Sequence, residues 1–182
     1  MFILESLYLS LKINQMNKQI LILIFAMLIG SCTVAYKFNG ASIDYNKTKT
    51  VSIADFPIRT ANVYSPLSQT FSEGLRDIFQ RQTRLRMVKQ NGDLHFEGEI
   101  TGYEFTPQAI KEDAFASVTR LTVTVRVKFT NRADTKQSFD QSFSAFRDFP
   151  STKMPTEVQD QLIKEMVEEM TDQIYNASVA NW

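Results

Sequence analysis

The sequence predicts an α+β domain, a mainly antiparallel or mixed β-sheet with two α-helices packed on one face. Three observations carry this. The run Leu121-Thr122-Val123-Thr124-Val125-Arg126-Val127-Lys128-Phe129 alternates strictly, with one face aliphatic or aromatic and the other Thr, Thr, Arg and Lys, as a half-buried antiparallel strand requires. Two other segments repeat apolar residues at helical spacing: Leu67, Phe71, Leu75, Ile78 and Phe79, then Val158, Leu162, Met166, Met170 and Ile174, each row making one apolar helix face. The element order of strand, helix, short strand, three strands and helix leaves two helices to cover one sheet face.

Each element has its own signal. Thr50 to Asp55 alternates and reads as the first strand, followed by a loop through Pro57. Ser65-Pro66 opens the first helix, the serine as a cap and the proline where no amide partner is needed. Gly74 on that helix predicts a close approach to the sheet. A short strand, Leu85 to Val88, precedes the turn Asn91-Gly92-Asp93. Leu94, Phe96 and Ile100 then alternate with His95, Glu97 and Glu99, and Gly98 and Gly102 predict bulges or close backbone contacts. Pro107 to Ser117 reads as a long connection to the Leu121 strand. Asn131 to Asp134 turns the chain into a strand at Phe139 to Phe146. Thr156 and Gln159 match a capping box at the start of the second helix. No internal repeat or low-complexity segment is present.

The N-terminal quarter of the chain reads differently. Met16-Asn17-Lys18-Gln19, with one positive charge, leads into the apolar run Ile20 to Ile29 and the small pair Gly30-Ser31. That order is a secretory signal, and the run is too short to cross a bilayer, which takes about 20 residues. The chain's single cysteine, Cys32, follows directly. Ile29-Gly30-Ser31-Cys32 resembles the bacterial lipobox, in which cleavage between Ser31 and Cys32 frees a cysteine for acylation. Small side chains admit the peptidase, and only a thiol accepts a thioether-linked diacylglycerol, so the expected product is a lipoprotein carrying diacylglyceryl and palmitate chains on Cys32. Residues 1–31 are thus the signal peptide. We read Met16 as the start of translation and residues 1–15 as an upstream extension of the gene model. Residues 32–48 form the lipidated N-terminus and a polar tether, and residues 49–182 the single α+β domain.

Removal of Glu5, Lys12 and Lys18 with the leader leaves 18 basic and 19 acidic side chains, a formal charge of −1. Such balance argues against nucleic acid as a partner, because nucleic-acid proteins carry a strong basic excess. With Cys32 acylated no thiol remains, so disulfides and cysteine metal sites are excluded and packing alone holds the fold.

Residues able to do chemistry are few. The one histidine, His95, lies on the polar side of a strand beside Glu97 and Glu99, with no second ligand in view. No phosphate loop, nucleophile elbow or metal-ligand pair occurs, so catalytic and metal-binding residues are expected to be absent, with no cofactor beyond the covalent lipid. Two basic groups are candidate anion sites: Arg81, Arg84, Arg86 and Lys89 after the first helix, and Arg120, Arg126 and Lys128 on the polar strand face. Guanidinium suits phosphate through paired hydrogen bonds, although cations also collect at helix C-termini for dipole reasons. Most aromatic residues fall on inward faces and are assigned to the core.

Several stretches resemble a known family: the lipobox cysteine, Tyr36-Lys37-Phe38-Asn39-Gly40-Ala41-Ser42-Ile43, Leu67-Ser68-Gln69-Thr70-Phe71, Asp93-Leu94-His95-Phe96-Glu97-Gly98-Glu99-Ile100-Thr101-Gly102-Tyr103 and Val179-Ala180-Asn181-Trp182. Together they are similar to the lipopolysaccharide-assembly lipoprotein family LptE, in its Bacteroidetes-type branch, over essentially the whole mature chain. The resemblance implies a non-enzymatic outer-membrane lipoprotein whose two helices pack on a sheet. It also implies a plug in the lumen of an LptD-type β-barrel, assisting its assembly and the passage of lipopolysaccharide to the outer leaflet. Cys32 carries over as the acylation site; glycolipid contacts at Arg81, Arg84, Arg86, Lys89, Arg120, Arg126 and Lys128 rest on charge alone. Thr33 in place of an aspartate, with no acidic run after the cysteine, fits the outer membrane with the domain on the periplasmic side. The competing class is a periplasmic lipoprotein that activates or pilots another envelope machine, such as a peptidoglycan synthase or a secretin. A hydrolase would need a convergent site that the sequence lacks.

Overall fold

A computed structural model describes residues 43–108 and 117–180. The leader, Ser31, Cys32, most of the tether and most of the Pro107–Ser117 connection lie outside the described residues. Five strands form one sheet: β1 (Thr50–Ile53), β2 (Arg86–Met87), β3 (Leu94–Gln108), β4 (Val118–Asn131) and β5 (Phe139–Pro150). Their order is β2-β1-β3-β4-β5. β1 is parallel to β2 and β3, whereas β3, β4 and β5 form an antiparallel meander. Helix α1 (Pro66–Gln82) links β1 to β2, and α2 (Pro155–Tyr175) follows β5. This is the expected α+β architecture, with a mixed sheet.

Alternation places one face of every long strand in the core. Leu121, Val123, Val125, Val127 and Phe129 of β4 are buried, as are Leu94, Phe96 and Ile100 of β3 and Phe143, Ala145 and Phe149 of β5. The α1 row Leu67, Phe71, Leu75, Ile78 and Phe79 is buried throughout. On α2 the buried set is Ile163, Met166, Val167, Met170, Thr171, Ile174 and Tyr175, while Val158 and Leu162 pack at its margin. Aromatic rings connect the layers. Phe96 lies 4.8 Å from Phe79 of α1 and 4.7 Å from Phe129 of β4, and Phe129 lies 5.2 Å from Phe139 of β5.

Where the structure departs from the sequence reading, tertiary contacts decide. β1 stops at Ile53 rather than Asp55 because the chain dives to bury Phe56: Phe56 N–H donates to Ser72 Oγ at 3.1 Å, and Ser68 Oγ donates to Phe56 O at 2.6 Å. Gly98 on β3 makes room for that ring, since a Cβ there would lie 2.7 Å from Phe56 Cε1 and 2.0 Å from Arg126 O. Gly74 serves helix–helix contact instead of helix–sheet contact, its missing Cβ leaving space for Val167 of α2. β3 runs on through Pro107, a residue expected in a loop. β1 no longer flanks β3 there, so the absent amide breaks no ladder. A register shift between Ile100 and Gly102 supplies the expected bulge. β5 extends past Phe146 to Pro150. Ser65 makes no side-chain cap, and α2 begins at Pro155 with Glu157 accepting from Met154 N–H at 3.0 Å, two residues before the expected box. Gln159 is used elsewhere and accepts from the Tyr103 hydroxyl at 3.0 Å. Burial, with Tyr64 and Asp160 nearby, pushes the Tyr103 phenol up to about 12.

One carboxylate ties the start of the sheet together. Asp93 Oδ2 accepts from Lys49 N–H (2.8 Å), Thr50 N–H (2.9 Å) and Thr50 Oγ1 (2.8 Å), while Asp93 O accepts from Arg132 N–H at 2.9 Å. These bonds, led by that from Lys49, hold the Asp93 carboxyl below the usual carboxylate range. Its contribution is therefore complete above the unfolded-state value and is lost as pH falls through the lower folded-state value. Asp93→Ala should cost about 2 kcal/mol at neutral pH, and the gap between variant and wild type should close in acid, read by urea unfolding at both pH values. Gly98→Ala should lower stability by about 2 kcal/mol or more through overpacking. Gly102→Ala, whose Cβ meets Thr124 at 3.0 Å, should cost less; equal thermal shifts would contradict the close-approach account.

Candidate functional site

The sheet face away from the helices is uncovered among the described residues, and it holds one of the two predicted basic groups. Directly paired residues share a face, so Arg120, Thr122, Thr124, Arg126 and Lys128 of β4 stand beside His95, Glu97, Glu99 and Glu104 of β3 and Asp140, Ser142, Ser144, Phe146 and Asp148 of β5. Each cation meets a carboxylate across the ladder. Arg126 donates twice to Asp140 (2.9 and 2.8 Å), Arg120 donates twice to Asp148 (2.7 and 2.8 Å), and Lys128 Nζ lies 2.7 Å from Glu97 Oε1. Those hydrogen bonds hold the Asp140, Asp148 and Glu97 carboxyls below their usual range. Glu99 and Glu104 add two further carboxylates, so the face is mixed and mildly acidic.

His95 is tied into this face, with Nδ1 2.7 Å from Ser52 Oγ and Nε2 3.7 Å from Glu97 Oε2. No group of three His, Cys, Asp or Glu side chains able to hold a metal occurs among the described residues. Phe146 and Tyr45 are exceptions to the inward aromatics; Phe146 is 51% exposed, with the Arg120 guanidinium 4.0 Å above its ring.

The second predicted group is divided by the fold. Arg81 pairs with Asp77 one helical turn earlier, at 3.2 Å. Lys89 lies on the connection between β2 and β3, in a shallow hollow with Ala54 and Asp55. Arg84 and Arg86 remain together at the start of β2, exposed and without a carboxylate partner among the described residues. Three cations that the sequence reading did not group with them, Lys49, Arg132 and Lys136, sit at the same end of the sheet. They come from separate segments, and only strand order brings them together, so no local spacing announces them.

The remaining openings are surface hollows. The α1–α2 groove is lined by Glu73, Gly74, Asp77, Lys164, Glu168 and Asp172. A small cavity of about 140 Å³ lies where the N-terminal segment meets Asn131, Gln137 and Val179. No described helix is long and apolar enough to cross a membrane.

Comparison with known proteins places this geometry. No curated protein matches the chain in sequence. Among solved structures, the hypothetical protein CT253 from Chlamydia trachomatis is similar in fold, with a TM-score of 0.51 and 12% identity over 74% of this chain and 99% of that one. A minor lipoprotein from Acinetobacter baumannii aligns with a TM-score of 0.46 and 12% identity, covering 71% of this chain and 91% of that one. The rare lipoprotein B from Shewanella oneidensis gives 0.45 and 12%, covering 71% and 92%. The family model for lipopolysaccharide-assembly LptE matches residues 48–178, which takes in every strand and both helices described above. The chain belongs to the LptE family of lipopolysaccharide-assembly proteins.

Proposed function

We propose that this protein is the plug subunit of a lipopolysaccharide translocon: a lipoprotein anchored through Cys32 in the outer membrane, on the periplasmic side, and seated in the lumen of an LptD-type β-barrel. In that position it assists barrel assembly and the delivery of lipopolysaccharide to the outer leaflet, binding the glycolipid without transforming it and using no cofactor beyond its own lipid. The observation that carries this reading is the family match over residues 48–178, read together with a lipobox cysteine sixteen residues upstream of that match.

The surface chemistry supports the reading. The lumen of an outer-membrane barrel is polar, and a domain held there needs a polar surface on several sides. Here one sheet face carries Thr, Ser and cross-strand ion pairs, and the outer side of α2 carries Glu157, Asp160, Glu165, Glu168, Glu169 and Asp172. Basic side chains available for lipopolysaccharide phosphates include Arg84, Arg86 and Lys89, with Arg81, Arg120, Arg126 and Lys128 reachable only by exchange with their present carboxylate partners.

Affinity purification from mildly solubilised outer membranes, followed by mass spectrometry, tests the partner. Recovery of one large β-barrel protein in near-equal amount, with lipopolysaccharide, is expected. Recovery of a peptidoglycan synthase or a secretin instead would assign the protein to another envelope machine.

A further inference from the structure

We infer that the end of the domain where the N-terminal segment enters is a docking surface for the anionic phospholipid headgroups of the membrane leaflet that holds the lipid anchor. The inference rests on the reading of Cys32 as the anchored residue.

The geometry begins with four adjacent strand ends. Arg86 opens β2, Lys49 precedes β1, Asp93 precedes β3 and Arg132 follows β4. Arg86 N–H donates to Lys49 O at 2.9 Å, Lys49 N–H to Asp93 Oδ2 at 2.8 Å and Arg132 N–H to Asp93 O at 2.9 Å. The row is therefore continuous, and at about 4.8 Å per strand it spans roughly 15 Å. Arg84 lies two residues before Arg86, and Lys136 follows Arg132 in the turn leading to β5.

The cations here differ from those elsewhere on the sheet. Lys49, Arg84, Arg86, Arg132 and Lys136 are exposed and have no carboxylate within ion-pair distance among the described residues. Arg120, Arg126, Lys128 and Arg147 are all paired. The carboxylates at this end are engaged locally: Asp93 by Lys49 and Thr50, Asp44 by Asn46 N–H and the Lys47 ammonium, and Asp134 by Lys136 N–H. Lys47 at this end pairs with Asp44 at 3.5 Å, and the Arg132 guanidinium donates to Asn91 O and Oδ1 at 3.4 and 3.1 Å. The cations of the sheet face are thus neutralised, whereas Lys49, Arg84, Arg86, Arg132 and Lys136 keep their charge for an external anion at that end.

Chain length and charge select the occupant. Ten residues separate Cys32 from Ile43, a reach of at most about 35 Å, so the anchored leaflet is the anionic surface that this end can meet continually. The outer side of α2 opposes such contact: Glu165 and Glu169 pair with Arg147 of β5, and Glu157, Asp160, Glu168 and Asp172 stand against Lys164. Charge thus orients the domain with the strand ends toward the headgroups and the acidic helix away from them. Basic residues near a lipid surface act additively, and salt screens them.

The test uses the chain from Thr33 to Trp182, which carries the whole core and no lipid, with vesicles of phosphatidylethanolamine alone or with about a third phosphatidylglycerol. Flotation with the phosphatidylglycerol vesicles only, abolished by raised salt, is expected. Replacing Arg84 and Arg86 by Glu should weaken that binding tenfold or more, and Lys136→Glu should weaken it independently. Lys164→Glu on α2 should leave it unchanged. Equal flotation with both vesicle types, affinity unaffected by reversal, or capture by lipopolysaccharide micelles without phospholipid binding would each overturn the inference. Because the probe is unlipidated, these outcomes do not depend on the anchor. The intact mass of the membrane-extracted protein decides the anchor separately.

Discussion

Phe96 is the point on which the packing depends. Its ring lies between Phe79 of α1 and Phe129 of β4, on the one strand that joins the parallel half of the sheet to the antiparallel half. Phe79 in turn meets Tyr175 at the end of α2 at 5.3 Å. Both helices and both halves of the sheet are thereby referred to one side. A sheet buried on one side fixes its own register, because a one-residue slip would turn the apolar set toward water. The other side is then free to carry polar and charged groups without cost to the core.

That freedom explains the two surfaces. On the open sheet face the cross-strand carboxylates are fixed by the same register that builds the core, and they hold Arg120, Arg126 and Lys128 in place. Such exposed pairs contribute little to stability, so their effect is to define a largely polar, mildly acidic face. At the strand ends the carboxylates of Asp93 and Asp134 are taken up by backbone N–H groups, and Lys49, Arg84, Arg86, Arg132 and Lys136 have no carboxylate within ion-pair distance among the described residues. The proposed plug role requires surfaces of this kind more than it requires a pocket.

Much of the fold was legible in the sequence. The Leu121–Phe129 alternation and the two helical rows lie where burial later appears, since both are periodic patterns that local geometry imposes. The missed features were non-local. The early exit of β1 depends on Phe56 finding Ser68, Ser72 and Gly98. Pro107 is tolerated within β3 because β1 has already ended, and Gly74 reads as a helix–helix contact only once α2 is in place. For the candidate site, residue type was legible and partnership was not. Arg81, Arg84, Arg86 and Lys89 are neighbours in sequence but have three different surroundings, while Lys49, Arg132 and Lys136 join Arg84 and Arg86 only through strand order. The lipobox expectation rests on the local run Ile29 to Cys32, and those residues lie outside the described ones.

The plug reading makes a geometric demand that a one-sided binding module does not: the barrel must surround the domain. Photo-crosslinkers placed in cells at Thr124, on the open sheet face, and at Lys164, on the outer side of α2, test it directly. The account predicts that both positions, on opposite sides of the core, crosslink to the same large β-barrel protein. Crosslinks from only one of them, or to different proteins, would contradict it.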